Sequence, residues 1–523
     1  MGIYLNPGSE LFQESLTSQI YIDKSELIAY TNQVLGTRQK YICVSRPRRF
    51  GKSMAAEMLA SYYSRGKDAG ELFQNLNIVA NNTFGEHLNQ YNVIFLNIQE
   101  FFSRAHDMMQ MKKLLAKYVL RDLMKAYPEI DYIDREDFSS VLQDIFQETG
   151  IPFVFIIDEW DCVFRENQKD ETNQKQYLDF LRNLLKDKVY VKLAYMTGIL
   201  PIKKYGSHSA LNMFDEFSMT DPGPLAEYFG FTEEEVRTLC MQYDMSFEEM
   251  RRWYDGYQFY EKQHIYSPRS VVTAMLRHEF GNYWTKTETY EALKVYIEMN
   301  YDGLRDTVIE LLAGARKHIN TEKFTNDMTT FQSKDDVLTL LVHLGYLAYD
   351  VKEESVFIPN SEVSKEFVNA IEGAGWQEVA DAVSQSNNLL KATWHMDETK
   401  VPEGMKKAHM ETSILTYNDE NALAYTMSLA YYSARIYYNV IRELPTGKGF
   451  ADLVFIPRKN YSDKPAMIIE LKWDKTAEGA IEQIKKQEYC EALREYRGNL
   501  LLLGINYDKK EKIHECKIEK VSL

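Results

Sequence analysis

At 523 residues the chain exceeds what one hydrophobic core can hold, and a norm of roughly 100–200 residues per domain gives about three domains. A hydrophobic fraction of 45% and a charged fraction of 26% are those of an ordinary globular protein and exclude general disorder. The formal net charge of −16 excludes a protein that coats nucleic acid or anionic membrane over its whole surface, while leaving room for a local basic groove. The cysteines, at 43, 162, 240, 490 and 516, are far apart and form no Cys-x-x-Cys pair. They are expected as free thiols in a reducing compartment rather than in zinc sites or disulfides. The N-terminus lacks a basic segment followed by an apolar run, and Asn6 stands where a myristoylation signal carries Ser or Thr. With no apolar run near the ~20 residues of a membrane span, a cytoplasmic location is expected.

In chain order, Ile20-Tyr21-Ile22-Asp23-Lys24 leads into a helical pattern that ends near Leu35, and Tyr41-Ile42-Cys43-Val44 reads as a buried strand. Residues 44–53, Val-Ser-Arg-Pro-Arg-Arg-Phe-Gly-Lys-Ser, follow it and precede a helical run from Met54 to Ala60. Strand, tight loop, Gly-Lys-Ser and helix form the layout of a phosphate-binding loop. There, backbone N–H groups and the helix N-terminus cradle phosphates, the Lys reaches the terminal phosphates, and the Ser hydroxyl binds Mg²⁺. Those parts are Gly51, Lys52 and Ser53, with Arg46, Pro47, Arg48, Arg49 and Phe50 forming the rest of the loop. Arg46 occupies the position where the usual pattern has its first Gly.

Val93 to Ile98 reads as another strand, followed by a long helix from about Met108 to Ala126. Phe153 to Ile157 is an apolar β-rich run, as in a parallel sheet covered on both faces, and it ends in Asp158 and Glu159. An Asp at that place can bind Mg²⁺ and the adjacent Glu can orient the attacking water. Both the strand at 93–98 and the following Glu match the ATPase branch that inserts a strand between the loop strand and the carboxylate strand. Val191 to Gly198 is expected as a further parallel strand, whose Thr197 is either a γ-phosphate or water sensor or a strand terminus.

From about Asp221 to Asn320 the pattern is mostly helical, with Thr232 as an N-cap before an acidic turn. The aromatic corners Trp253-Tyr254-Asp255-Gly256-Tyr257 and Tyr266-Ser267-Pro268 read first as packing and second as ligand contacts. A helix over Asp336–Leu341 and a hairpin ending at Val356-Phe357-Ile358-Pro359-Asn360 have the order of a winged helix, and Asp350, Glu353 and Glu354 at the tip favour packing over DNA contact. Residues from about Gly373 to Asn418 read as a connector.

The tail is expected as helix (420–434), strand (436–443), strand (450–456), strand (466–473), helix (477–496) and strand (499–505). Positions i and i+2 of a strand share a face, so Glu470 and Lys472 project together, and Asp452 joins them from the neighbouring antiparallel strand. Two facing carboxylates hold a divalent cation; the metal stabilises phosphodiester charge and acidifies a bound water, which the Lys positions or deprotonates. That is the constellation of a metal-dependent nuclease. An incidental pair on a solvent-facing ribbon is the weaker reading, because Met467-Ile468-Ile469 and Leu453 to Ile456 are too apolar for it.

On these residues the N-terminal part resembles the AAA-ATPase-like family whose phosphate loop is written Arg-Pro-Arg-Arg-Phe-Gly-Lys-Ser, and the C-terminal part is similar to the PD-(D/E)XK nuclease family that accompanies it in bacterial proteins. Supporting pieces are Tyr21-Ile22-Asp23-Lys24, Arg46 to Ser53, Glu71-Leu72-Phe73, Ile157-Asp158-Glu159, Thr197-Gly198-Ile199, the Trp253 to Tyr257 corner, Leu344-Gly345-Tyr346-Leu347, Ile358-Pro359-Asn360, and Asp452 with Glu470-Leu471-Lys472. The resemblance implies an ATP-binding domain and a nuclease fold; with the patterns above, the expected division is an ATP-binding domain over 1–220, a helical lid and winged-helix-like region over 221–372, a connector over 373–418 and a nuclease-like αβββαβ domain over 419–523. It implies Ser53 and Asp158 as Mg²⁺ ligands beside ATP, Glu159 as the hydrolytic carboxylate, and Asp452 and Glu470 as ligands of Mg²⁺ or Mn²⁺ with Lys472 as their partner. Ala451 stands where the motif's name has Pro. Gln483 sits where similar nucleases carry a site-contacting Gln, although Tyr489 is spaced imperfectly for its usual companion; Glu420 reads as a first-helix acid or as a solvated N-terminal Glu.

The resulting expectation is ATP binding or hydrolysis that gates metal-dependent cleavage of DNA. The alternative is a nucleotide-driven switch or assembly protein whose nuclease fold only binds nucleic acid or a partner; the acidic charge favours it and the retained metal ligands oppose it. A homo-oligomer is compatible with the loop arginines, which either hold phosphates or meet a neighbouring subunit. Arg165, Arg182 and those loop arginines are all open as an arginine finger.

Overall fold

The continuous apolar runs of the N-terminal part form the strands of a parallel sheet because only a sheet with both faces covered buries every residue of such a run. A computed structural model describes residues 2–521 apart from 67, 106, 167, 203–210, 260–261, 285–288, 299–300, 313–315, 325–330, 374–376, 412–426, 428–429, 447–448, 459–460, 487–492, 494–495 and 497. The chain divides into two units: residues 1–289 with 318–365, and residues 290–317 with 366–523.

The first unit is built on β1 (Tyr41–Ser45), β2 (Asn92–Asn97), β3 (Phe153–Asp158), β4 (Val191–Gly198) and β5 (Asp215–Phe217), in the order β2-β3-β4-β1-β5 with every pair parallel. β4 therefore lies between the loop strand β1 and the carboxylate strand β3, while β2 lies outside β3. The strand inserted in space is thus the Thr197 strand, although β2 is the one that intervenes in sequence. Helix α1 (Lys52–Tyr63) leaves the loop after β1. One face of the sheet packs through Ile42, Val44, Val154, Ile156, Leu193 and Tyr195 onto α1. The other packs through Cys43, Phe155, Ile157 and Met196 onto α2 (Met108–Ala126), α3 (Phe138–Thr149) and α5 (Glu171–Leu185); α4 (Cys162–Glu166) follows β3.

The same unit continues with the short strand β6 (Phe231–Thr232), α6 (Glu233–Gln242), α7 (Phe247–Tyr254), the hairpin β7 (Tyr257–Phe259) and β8 (Lys262–Tyr266), and α8 (Pro268–Arg277). Thr232 caps α6 in a reciprocal capping box with Glu235, as its sequence foretells. Helix α9 (Lys334–Leu344) and the hairpin β9 (Ala348–Asp350) and β10 (Ser355–Phe357) follow in the expected order. The aromatic corner is structural: the Asn360 side chain donates to Asp255 O at 2.8 Å, and Tyr257 Oη donates to Gly345 O at 2.7 Å.

In the second unit, β11 (Tyr438–Thr446), β12 (Gly449–Pro457), β13 (Ala466–Trp473), β14 (Leu500–Asp508) and β15 (Ile513–Lys520) form one sheet in sequence order. The β13–β14 pair is parallel and the others antiparallel. Crossover helix α12 (Ala477–Lys486), between β13 and β14, packs Ile481 and Ile484 on Val454, Ile468 and Leu502. The final strand β15 is an addition to the expected αβββαβ order. The segment read as a connector contains α10 (Gln377–Trp394) and α11 (Lys400–Glu411), whose Leu389, Leu390, Val401 and Met405 share a core with Leu453, Phe455, Ile469 and Leu503. It covers the sheet's second face, so apolar burial binds it to the nuclease-like sheet rather than leaving it as a linker. Most of the helix expected at 420–434, Glu420 included, lies outside the described residues, as does Tyr489.

Candidate functional sites

The first site lies where β1, β3 and β4 end. Gly51 takes φ +89°, a left-handed conformation that glycine adopts without strain, and turns the chain into α1. The turn brings Ser53 Oγ to 2.7 Å from Asp158 Oδ2, to which it donates. Thr197 Oγ1 donates to Asp158 Oδ1 at 2.8 Å, and the Glu159 N–H donates to the same oxygen at 3.0 Å. Ser53, Asp158 and Thr197, from three separate elements, thus meet at one carboxylate. A hydroxyl and a carboxylate are hard oxygen donors and suit Mg²⁺.

Lys52 is only 5% exposed, and its ammonium donates to Arg46 O at 3.0 Å and Pro47 O at 2.8 Å. Burial lowers its affinity for a proton, with Glu159 and Asp158 opposing. Glu159 has φ +51°, uncommon for a residue with a side chain, and its carboxylate is paired with Arg165. Burial pushes Glu159 up, with Arg165 and then Lys52 pulling it back.

These residues border a cavity of ≈ 1050 Å³ that Arg48, Arg49, Phe50, Gly51, Lys52, Ser53, Glu159 and Arg165 all line. Arg49 also donates to Tyr283 O at 3.2 Å and Trp284 O at 3.4 Å, while Phe50 packs edge-on to Tyr257. Arg46 is placed differently from the expectation of a phosphate contact. Its side chain is 0% exposed and runs into the core, donating to Ser45 O at 2.9 Å and Phe217 O at 2.8 Å between the Phe229 and Phe259 rings. Carbonyls and ring faces offset the cost of burying that cation. Pro47 contributes its carbonyl to Lys52 and is not among the cavity residues. Arg182 is paired with Asp179.

Sequence reasoning missed Asn97 and Gln99, which line the cavity at and just after the end of β2, and Tyr21, Lys24, Phe231 and Arg269, which also line it. It also missed Asp161, which is fully buried and accepts from the Ile199 and Leu200 N–H groups at 3.0 and 2.8 Å. The available signal was its position three residues after Asp158.

The second site lies on the α12 face of the second sheet. Strand alternation sends Ile468, Glu470 and Lys472 to one face of β13, and Asp452 joins the face of Val454 on β12. Glu470 is 2% exposed and Lys472 7%; the Lys472 ammonium donates to Glu470 Oε1 at 3.0 Å. Gln483, from α12, donates to the same Glu470 oxygen. Asp452 Oδ2 accepts the Leu471 N–H at 2.8 Å, which ties it to the strand carrying Glu470. Asp452, Glu470, Lys472 and Gln483 thus come together on one face, with two carboxylates as hard-cation donors. Among the described residues there is no cluster of three or more His, Cys, Asp or Glu able to hold a metal.

Sheet order, loop geometry and carboxylate placement define a phosphate-loop ATPase fold in the first unit and a nuclease-type mixed sheet in the second. Residues 9–207 match the family model described as a predicted AAA-ATPase (AAA-ATPase-like), and residues 419–517 match that of the PD-(D/E)XK nuclease superfamily. The chain therefore joins an AAA-ATPase-like domain to a PD-(D/E)XK superfamily domain, as its motifs implied. It is 24% identical over 291 residues to an uncharacterized protein in the vnfD 5' region of Azotobacter chroococcum mcd 1, and the match covers 51% of each. The chain spans about half the length of that curated relative. Solved structures with partial likeness are the Aeropyrum pernix ORC2 protein in its ADPNP–ADP complexes (13% identity, TM-score 0.31, 71% of this chain and 98% of that one) and the Pyrococcus furiosus Hef helicase domain (12% identity, TM-score 0.19, 92% and 87%). No helix among the described residues is long and apolar enough to cross a membrane.

Proposed function

We propose that the chain couples ATP hydrolysis in its N-terminal domain to cleavage of DNA phosphodiesters by its C-terminal domain, each reaction dependent on Mg²⁺ or a like cation. The observation that carries the nuclease half is the convergence on Glu470, where Lys472 and Gln483 meet one carboxylate oxygen on the face shared with Asp452. A module that only binds nucleic acid has no need of two carboxylates and a buried ammonium on one face. Asp452 and Glu470 would hold a divalent cation, which would supply charge for the scissile phosphate and a more acidic water. Lys472 and Gln483 hold the Glu470 carboxylate in place through its Oε1, and Lys472 orients a water beside it.

In the N-terminal domain, Lys52 and the α1 amides bind the phosphates of ATP, Ser53 and Asp158 hold the cation, and Glu159 orients the attacking water. Arg48 and Arg49 add positive charge to the cavity. The test is cleavage of labelled DNA and RNA by the purified chain with Mg²⁺ or Mn²⁺ and ATP. The expected result is DNA cleavage that falls by about 10²-fold or more in Lys472→Ala. Absence of cleavage on any substrate, or cleavage unchanged in that variant, overturns the nuclease half.

A further inference from the structure

We propose that Arg165 is the positioning residue of the ATPase site: anchored on Asp161, it holds the Glu159 carboxylate and offsets its charge at the terminal-phosphate end of the cavity. This rests on the reading of that cavity as a nucleotide site. The anchoring runs through three links. The Ile199 and Leu200 N–H groups, just beyond Thr197, donate to Asp161 Oδ2 at 3.0 and 2.8 Å. The same oxygen accepts Arg165 Nε at 3.1 Å, and Arg165 Nη2 donates to Glu159 Oε2. Asp161 is fully buried and the Arg165 side chain is only 10% exposed, so the guanidinium is fixed in direction by a planar fork with a carboxylate on each side.

The chemistry explains why such a prop is needed. Glu159 lines the same cavity as Lys52 and Ser53, where the phosphates of a nucleotide would lie. A bare carboxylate there repels the terminal phosphate, and a half-buried one with no cation beside it is costly. Its backbone, at φ +51°, is held in a sparsely populated conformation, as expected where surrounding contacts dictate the geometry. Arg165 is therefore expected to matter for the γ-phosphate and not for the rest of the nucleotide.

The experiment measures the affinity of the full chain for ADP and for the β,γ-imido analogue of ATP, both with Mg²⁺. For Arg165→Ala we expect ADP affinity within about twofold of wild type and analogue affinity weaker by about tenfold, because the Glu159 carboxylate then faces the γ-phosphate without its guanidinium. Adding Glu159→Gln to Arg165→Ala removes that charge, and analogue affinity returns to within about twofold of wild type. Arg165→Lys, which keeps the cation and protects against misfolding of the alanine variant, retains most of it. Equal weakening of ADP and analogue, or a double variant no better than Arg165→Ala, overturns the proposal while leaving the nucleotide site standing. Wild type that binds neither nucleotide overturns both.

Discussion

Gly504 offers a sharp test of how the nuclease-like site is assembled. It lies on β14 directly beside Glu470 of β13 in the parallel register. A Cβ built there would sit 2.1 Å from Ala477 O and 3.0 Å from Ala480 Cβ, both on α12. Ordinary contact begins near 3.4 Å, so in Gly504→Ala the start of α12 must retreat by about 1.3 Å. Forcing a methyl group against backbone costs about 1–3 kcal/mol. At ~2–4 °C per kcal/mol for a unit of this size, Tm falls by several degrees. The same helix delivers Gln483 to Glu470, and a displacement of about 1 Å in a catalytic group costs on the order of 10² in rate. Thermal unfolding and cleavage of labelled DNA measure the two effects. A Gly504→Ala chain with wild-type Tm and wild-type cleavage would refute the packing of α12 that brings Gln483 to the site.

The remaining predictions concern the first unit. Lys52→Ala removes the buried ammonium and should weaken ATP binding by more than about tenfold, whereas Arg46→Met should change it by less than about threefold. Arg46→Met should instead lower Tm, because Ser45 O and Phe217 O lose a donor, at a cost of about 1–3 kcal/mol; calorimetric titration and unfolding on the same samples separate the two. His264 supplies a pH dependence. The hydrogen bond to Asp255, and its charge, push the imidazole above its ordinary value, with burial and Arg251 opposing and Glu233 adding to the rise. The native state thus holds its proton longer than the unfolded chain, so the contribution is complete below the unfolded value of about 6.5 and is lost as pH rises through the folded value. Unfolding temperatures from pH 5.5 to 8.5 should show a loss toward high pH that His264→Gln diminishes, and an unchanged slope in that variant would contradict it.

How much of this was legible depends on how local each signal is. Phe153 to Glu159 and Gly51-Lys52-Ser53 were readable because an apolar run with a charged end, or a Gly-Lys-Ser before a helix, encodes its chemistry within a few residues. Glu470 and Lys472 were readable because strand alternation has a period of two. The three loop arginines were not separable, since a loop has no period to say which way each side chain turns. The backbone sends Arg46 into the core and Arg48 and Arg49 to the cavity. Spatial strand order was hidden for a related reason: β4 moves between β1 and β3 through contacts about 150 residues apart in sequence. The helices over 377–394 and 400–411 looked like a connector because their polar faces dominate the composition, and only the distant strands they cover explain Leu389, Val401 and Met405. The edge strand β15 was missed because Ile513 to Lys520 alternates charged residues along its solvent side.

The proposed ATPase reaction requires Glu159 to work as a hydrolytic carboxylate rather than as one end of a structural ion pair. Steady-state ATP turnover by wild type and by Glu159→Gln, with ATP affinity measured alongside, tests that most directly. The prediction is turnover in wild type that falls by about 10²-fold or more in Glu159→Gln while ATP remains bound. Turnover at the wild-type rate in that variant, or tight binding with no turnover in either, would contradict it.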